Sequence, residues 1–192
     1  MTKISNILTI AALLLLGIFA IAFDKTQLSQ MRQLNQSYAQ KPIEVEYTAT
    51  EITNNTKTPS DNSWIGTEKE NTGYLKVSFS NLNLIKEKQI SSATLELTSA
   101  ENTNTEINTV IFGEVGSASI LSENFVPYSD ISTWNFDQRI SLPNINSIVN
   151  EMKDSILQTN NFSLIIKGAD STPRHRLIKN MPESATLVIQ YE

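Results

Sequence analysis

Few residues in this chain could do chemistry, and their spacing limits what that chemistry could be. His175 is the only histidine and cysteine is absent. A histidine or thiolate metal cluster therefore cannot be assembled, and a Ser-His-Asp triad would have a single candidate base. His175 lies in Pro173-Arg174-His175-Arg176, a locally basic turn in an acidic protein. Guanidinium groups offer forked donors to carboxylates and phosphates. Arg174, His175 and Arg176 are thus candidates for contact with an anionic polysaccharide or phosphate group. The plainer reading is a solvated loop whose arginines pair with Asp170 or Glu183.

Aromatic residues offer a second chemistry. Sugars present apolar C–H faces to aromatic rings while their hydroxyls need polar neighbours. Trp64, in the polar stretch Asp61-Asn62-Ser63-Trp64-Ile65-Gly66, and Tyr128, beside Pro127, are candidates for such stacking. A tryptophan is nevertheless more often a core residue, and Trp134, in Thr133-Trp134-Asn135-Phe136, reads as buried. Asp61, Glu68 and Glu70 share a segment with Asn62 and Asn71, and these oxygen ligands could hold calcium, though not with EF-hand spacing. No pair of acids stands out for glycoside hydrolysis, and phosphate-loop and dinucleotide fingerprints are missing. The expectation is a non-enzymatic protein without a cofactor.

The elements that would position these residues follow from hydropathy. Alternation of period two recurs along the chain: Ile43, Val45, Tyr47 and Ala49; Leu75, Val77 and Phe79; Ala93, Leu95 and Leu97; Phe162, Leu164 and Ile166; Ala185, Leu187, Ile189 and Tyr191. Residues 107–115 are apolar on both faces, which predicts a central strand. Such alternation is what half-buried antiparallel sheets require, and no strand-helix-strand rhythm interrupts it. The expected fold is all-β, a sandwich of two packed sheets. One helix is predicted where Ile145, Ile148, Val149, Met152 and Ile156 recur at helical spacing, with Asn144 as its N-cap after Pro143. It is expected to close the sandwich and plug the core.

Ahead of the strands stands a targeting segment. After Lys3, residues 4–23 carry no charge, and Ile7, Leu13, Leu16, Phe19 and Phe23 belong to an apolar run. At ~1.5 Å per residue the run covers most of a ~30 Å hydrocarbon core. A short positive start followed by an apolar run directs the chain out of the cytoplasm. Ala20-Ile21-Ala22 suits signal-peptidase cleavage before Phe23, and the length of the run suits retention as an anchor. Residues 1–23 are thus read as signal peptide or signal anchor, 24–41 as a polar stalk, and 42–192 as the sandwich. In the stalk, Leu28, Met31, Leu34 and Tyr38 could also mark one face of a helix. The net charge of −5 and a pI near 5.0 argue against nucleic acid as a partner.

The order of these elements resembles DNRLRE-type domains, which are similar to alginate-related carbohydrate-binding modules. The resemblance is carried by Tyr74-Leu75-Lys76-Val77-Ser78-Phe79-Ser80, then Ile90-Ser91-Ser92-Ala93-Thr94-Leu95-Glu96-Leu97. It continues through Ile145-Asn146-Ser147-Ile148-Val149-Asn150-Glu151-Met152, Asn160-Asn161-Phe162-Ser163-Leu164-Ile165-Ile166 and Ser184-Ala185-Thr186-Leu187-Val188-Ile189-Gln190-Tyr191. Three positions depart from the family pattern: its Asp is Ser78 or Ser80, its helix Trp is Met152 and a Gly is Ser163. The resemblance implies a jelly-roll-like sandwich found in secreted and surface proteins, with polysaccharide or another surface component as partner. A second expectation is a structural subunit of a surface filament, a homo-oligomer in which residues 43–50 are donated to a neighbour's sheet edge.

Overall fold

The computed structural model describes residues 41–54, 62–67, 74–116 and 119–192, together with Gln27. Ile7, Leu13, Leu16, Phe19 and Phe23, expected to span a membrane, lie outside the described residues. Among the described residues no helix is long and apolar enough to cross a membrane. Pro42–Glu192 forms one compact unit.

Eleven strands and one α-helix make up that unit among the described residues. They are β1 (Ile43–Thr48), β2 (Glu51–Asn54), β3 (Asn62–Thr67), β4 (Tyr74–Ser80), β5 (Ile90–Thr98), β6 (Ile107–Val115), β7 (Ile120–Asp130) and β8 (Arg139–Ser141). The helix α1 (Asn146–Thr159) precedes β9 (Asn161–Gly168), β10 (Arg174–Lys179) and β11 (Ala185–Tyr191). One sheet runs β1-β11-β5-β8 and the other β2-β4-β9-β6-β7, with β10 and β3 forming a separate ribbon. All pairings are antiparallel. The chain crosses between sheets at nearly every connection, which is the winding of a jelly roll. The all-β sandwich expected from period-two alternation is the observed fold.

Alternation builds the core directly. Leu75 and Val77 of β4, Leu95 and Leu97 of β5, Leu164 and Ile166 of β9, and Leu187 and Ile189 of β11 are fully buried in one cluster. Burying a Leu or Ile side chain contributes about 1.5–3 kcal/mol, so these inward rows dominate the stability. The helix adds Ile148, Val149, Met152 and Ile156, packing against β5 of one sheet and β6 and β7 of the other. It closes the core between the two sheets. A Cβ at Gly113 would meet Ile148 Cγ2 and Met152 Sδ, each at 2.6 Å, so only glycine lets α1 settle against β6. Ile145 takes the N-cap position, one residue after the Asn144 expected there. Asn144 still serves that turn, because its Oδ1 accepts the N–H groups of Ala93 and Asn146, both at 3.0 Å.

Two local expectations are corrected. The polar stretch around Trp64 is strand β3, and the basic turn around His175 opens strand β10. Their registry pairs Trp64 with Leu177 and Gly66 with His175. Polar composition hid the strand because its polar groups are spent on backbone partners. Asn54 acts as a substitute neighbour for Trp64, accepting its N–H at 3.0 Å and donating to its carbonyl at 3.1 Å. Gly66 has a φ of +118°, and a Cβ there would meet the Arg174 carbonyl oxygen at 2.3 Å, so the ribbon requires glycine.

Candidate functional site

The five residues singled out by sequence do not form one surface. Trp64 is 7% exposed, with its ring edge-on to that of His175 at 6.5 Å between centroids. Arg174 is half-exposed and paired with Glu106 at 3.0 Å, not with Asp170 or Glu183. Arg176 is 0% exposed and so has no surface to offer a ligand. Its Nε donates to the Thr105 carbonyl at 2.5 Å and its Nη2 to the Asp130 carbonyl at 3.2 Å. Its guanidinium lies 4.6 Å from the centre of the Trp134 ring, and Nη1 stands 3.5 Å from Asp130 Oδ2.

Tyr128 belongs to the same cluster. Its hydroxyl donates to Asp130 Oδ2 at 2.5 Å, beside the Trp134 Nε1–H at 2.9 Å, and Asp130 Oδ1 accepts the Ser132 N–H at 2.6 Å. Burial would raise the Asp130 pKa, yet the donors from Ser132, Tyr128 and Trp134 bring it down to about 2. Burial and the neighbouring carboxylate push the Tyr128 phenol upward. Trp134 is fully buried, as expected. The cluster locks the end of β7 and the following loop onto β10, and its role is structural.

A surface that mixes aromatic and polar side chains lies elsewhere, on the solvent side of the five-stranded sheet. Registry places Lys76, Ile165, Phe112 and Phe125 in one cross-strand row, and Tyr74, Lys167, Val110 and Pro127 in the next. A third row holds Glu51, Ser78, Ser163, Glu114 and Leu121. The Phe112 and Phe125 rings sit 6.1 Å apart and tilted by 45°, and Phe125 is 59% exposed. The Ser163 hydroxyl donates to that of Ser78 at 3.1 Å, and the Lys76 ammonium lies against Glu114 Oε2. The outer face of the other sheet carries Glu44, Glu46, Thr94, Glu96, Thr186, Val188 and Gln190, with no aromatic ring among the described residues. The two faces therefore differ in kind.

Sequence reasoning passed over this face, although a signal for it existed. Two-sided apolarity predicts a central strand, which says nothing of what covers its outer side. The strand does lie inside its sheet, between β9 and β7. Its outward Val110 and Phe112, however, are only partly buried.

At one margin of the face, β7 is an edge strand. A bulge at Ser122, Glu123 and Asn124 turns two amides to the Glu151 carboxylate of α1, at 2.6 Å and 3.0 Å. Those amides hold the Glu151 pKa below the ordinary carboxylate range. Pro127 removes a further donor from the same edge. The supposed calcium ligands Asp61, Glu68, Glu70 and Asn71 lie outside the described residues, while Asn62 opens β3. Among the described residues no group of three acids or histidines converges as a metal site would.

No protein-family model matches the chain, and no curated protein matches it in sequence. Among solved structures it is similar to an exo-β-1,3-galactanase of Phanerochaete chrysosporium with galactose, at a TM-score of 0.36 and 11% identity, over 77% of this chain and 29% of that one. It is also similar to the family 11 carbohydrate-binding module of a cellulosomal cellulase of Clostridium thermocellum, at a TM-score of 0.25 and 13% identity, over 80% of this chain and 89% of that one. The chain spans less than a third of the galactanase.

Proposed function

We propose that this protein is an exported, non-catalytic module that holds polysaccharide on the solvent side of its five-stranded sheet. The observation that carries the reading is the contrast between the two outer faces. One is mostly polar, with Glu, Thr, Gln and Arg139 around Val188, while the other exposes Phe125 and Pro127 beside the partly exposed Val110, Phe112 and Ile165, with Tyr74, lysines and hydroxyls among them. Contiguous exposed apolar surface on a soluble domain marks a binding site. Aromatic rings interleaved with hydroxyls and ammonium groups meet the two needs of a sugar, an apolar support for C–H groups and partners for its hydroxyls. The strands that carry the resemblance to DNRLRE-type domains, β4, β5, β9 and β11, include two of those forming the face, which supports the same reading. Export rests on residues 1–23 as signal peptide or anchor, with 24–41 as the stalk. The alternative of strand donation would require β1, which is seated on β11 of its own chain, to exchange that pairing for one with a neighbour.

Affinity electrophoresis through gels containing soluble polysaccharides tests the reading. Retardation by at least one polymer is expected, and Phe125→Ala should weaken it about tenfold by removing an exposed ring without disturbing the core. Unchanged retardation in Phe125→Ala and Phe112→Ala would remove this face as the site.

A further inference from the structure

The structure assigns an uncharged glycan to this face, and it assigns Glu114 as the positioning residue that keeps the face neutral. The inference rests on the binding reading above. In the three cross-strand rows Lys76 and Lys167 stand against Glu51 and Glu114 and cancel, and the exposed Glu123 of the β7 bulge adds no positive charge. The central pair is Lys76 and Glu114, in adjacent strands' reach across β9, with side chains 32% and 8% exposed. Glu114 is therefore nearly withdrawn from solvent, whereas the Lys76 ammonium it holds remains accessible beside Phe112 and Ile165. Burial by itself would raise the Glu114 pKa, but the Lys76 ammonium and Ser119 hydroxyl overcome it and keep the carboxylate ionised.

A polyuronate would bring a carboxylate on every sugar to this balanced face of an acidic protein. Lys167 alone would be left to meet those charges, and each unpaired carboxylate would be desolvated at a cost. A neutral sugar meets no such penalty. Its hydroxyl oxygens accept from Lys76 and Lys167, its hydroxyl hydrogens reach Ser78 and Ser163, and its C–H face rests on Phe112 and Phe125. The basic strand elsewhere does not alter the balance, since Arg174 is paired with Glu106 and Arg176 is buried.

The test uses the full-length protein in mild detergent. Its affinity for neutral glucans, galactans and mannans is compared with that for alginate and polygalacturonate, at ionic strengths of about 0.01 M and about 1 M. Retention by a neutral polymer, nearly independent of salt, is expected, with no retention by polyuronates. Glu114→Gln leaves Lys76 uncompensated, so salt-sensitive polyuronate binding should emerge. Lys167→Glu, on an exposed side chain that folding tolerates, should lower neutral binding by no more than about tenfold, one hydrogen bond's worth. Preference of the wild type for polyuronates would overturn the inference while leaving the binding reading intact. So would Glu114→Gln with unaltered preference, or abolition of all binding by Lys167→Glu. Retention by neither class of polymer would overturn both.

Discussion

Replacing Asp130 by Asn tests the cluster that secures β7, the strand supplying Phe125 and Pro127 to the face. Asparagine keeps the shape and its one oxygen can still accept from Tyr128 and Trp134, but its amide then faces the Ser132 N–H and the charge facing Arg176 is gone. The guanidinium is 0% exposed and would retain two carbonyl acceptors and the Trp134 ring. Two magnitudes bear on the cost. The fall of the Asp130 pKa from 3.8 to about 2 corresponds to about 2.4 kcal/mol of folding stability. Removing one partner of a buried ion pair costs about 3–5 kcal/mol. A loss near 3 kcal/mol is expected, which lowers the melting midpoint by about 6–12 °C in a domain of this size. Because the folded pKa is depressed, this contribution is complete above the unfolded value of 3.8 and disappears as pH falls toward 2. The gap between wild type and variant should therefore close on acidification. Urea unfolding followed by tryptophan fluorescence, with Asp130→Asn and Arg176→Met combined in a double-mutant cycle, measures it. The double variant should recover part of the loss, since no buried charge is left unpaired. A single-variant cost below about 1 kcal/mol, or strictly additive effects, would refute the assignment.

Two further outcomes follow from the packing. Gly113→Ala should destabilise the fold by about 1–3 kcal/mol, read as a lower urea midpoint at unchanged slope, because the added methyl overlaps Ile148 and Met152. Glu151→Gln should weaken the clasp on the Glu123 and Asn124 amides and expose the β7 edge to a second copy, seen as self-association in sedimentation. The Glu151 pKa is depressed, so its contribution stands above the ordinary glutamate value and fades as pH drops through the folded one. Wild type should accordingly come to resemble Glu151→Gln in acid, and a variant that stays monomeric would exclude this role.

Much of the fold was legible because burial repeats with the geometry of the element. In β4, β5, β9 and β11 the inward residues occupy every second position, and Leu75, Leu95 and Leu187 are all fully buried. In α1 the buried residues fall three and four apart, as the helical period requires. The β3–β10 ribbon escaped for a physical reason. Asn54, Ser63 and Asn180 read as loop composition, yet each satisfies a neighbour: Asn54 serves the Trp64 backbone, and the Ser63 hydroxyl donates to Asn180 Oδ1 at 2.9 Å. These pairings join positions ten and more than a hundred residues apart, and no local pattern announces them.

The outer face of the five-stranded sheet shows the converse limit. An apolar residue on the outward side of a strand has two physical explanations, a covering layer or a ligand, and local sequence cannot separate them. Val110 and Phe112 become informative only through registry, which sets Phe125 and Pro127 on one side of them and Ile165 and Lys167 on the other. The charges obey the same logic. Lys76 and Glu114 are 38 positions apart and neither stands out alone, but strand order β4-β9-β6 brings them within contact across a single intervening strand. The basic segment that did stand out is consumed by structure, Arg176 in the core and Arg174 on Glu106. Local charge density therefore points toward residues spent on structure, and the pairing of Lys76 with Glu114 across registry is the observation on which the proposed preference for uncharged sugars rests.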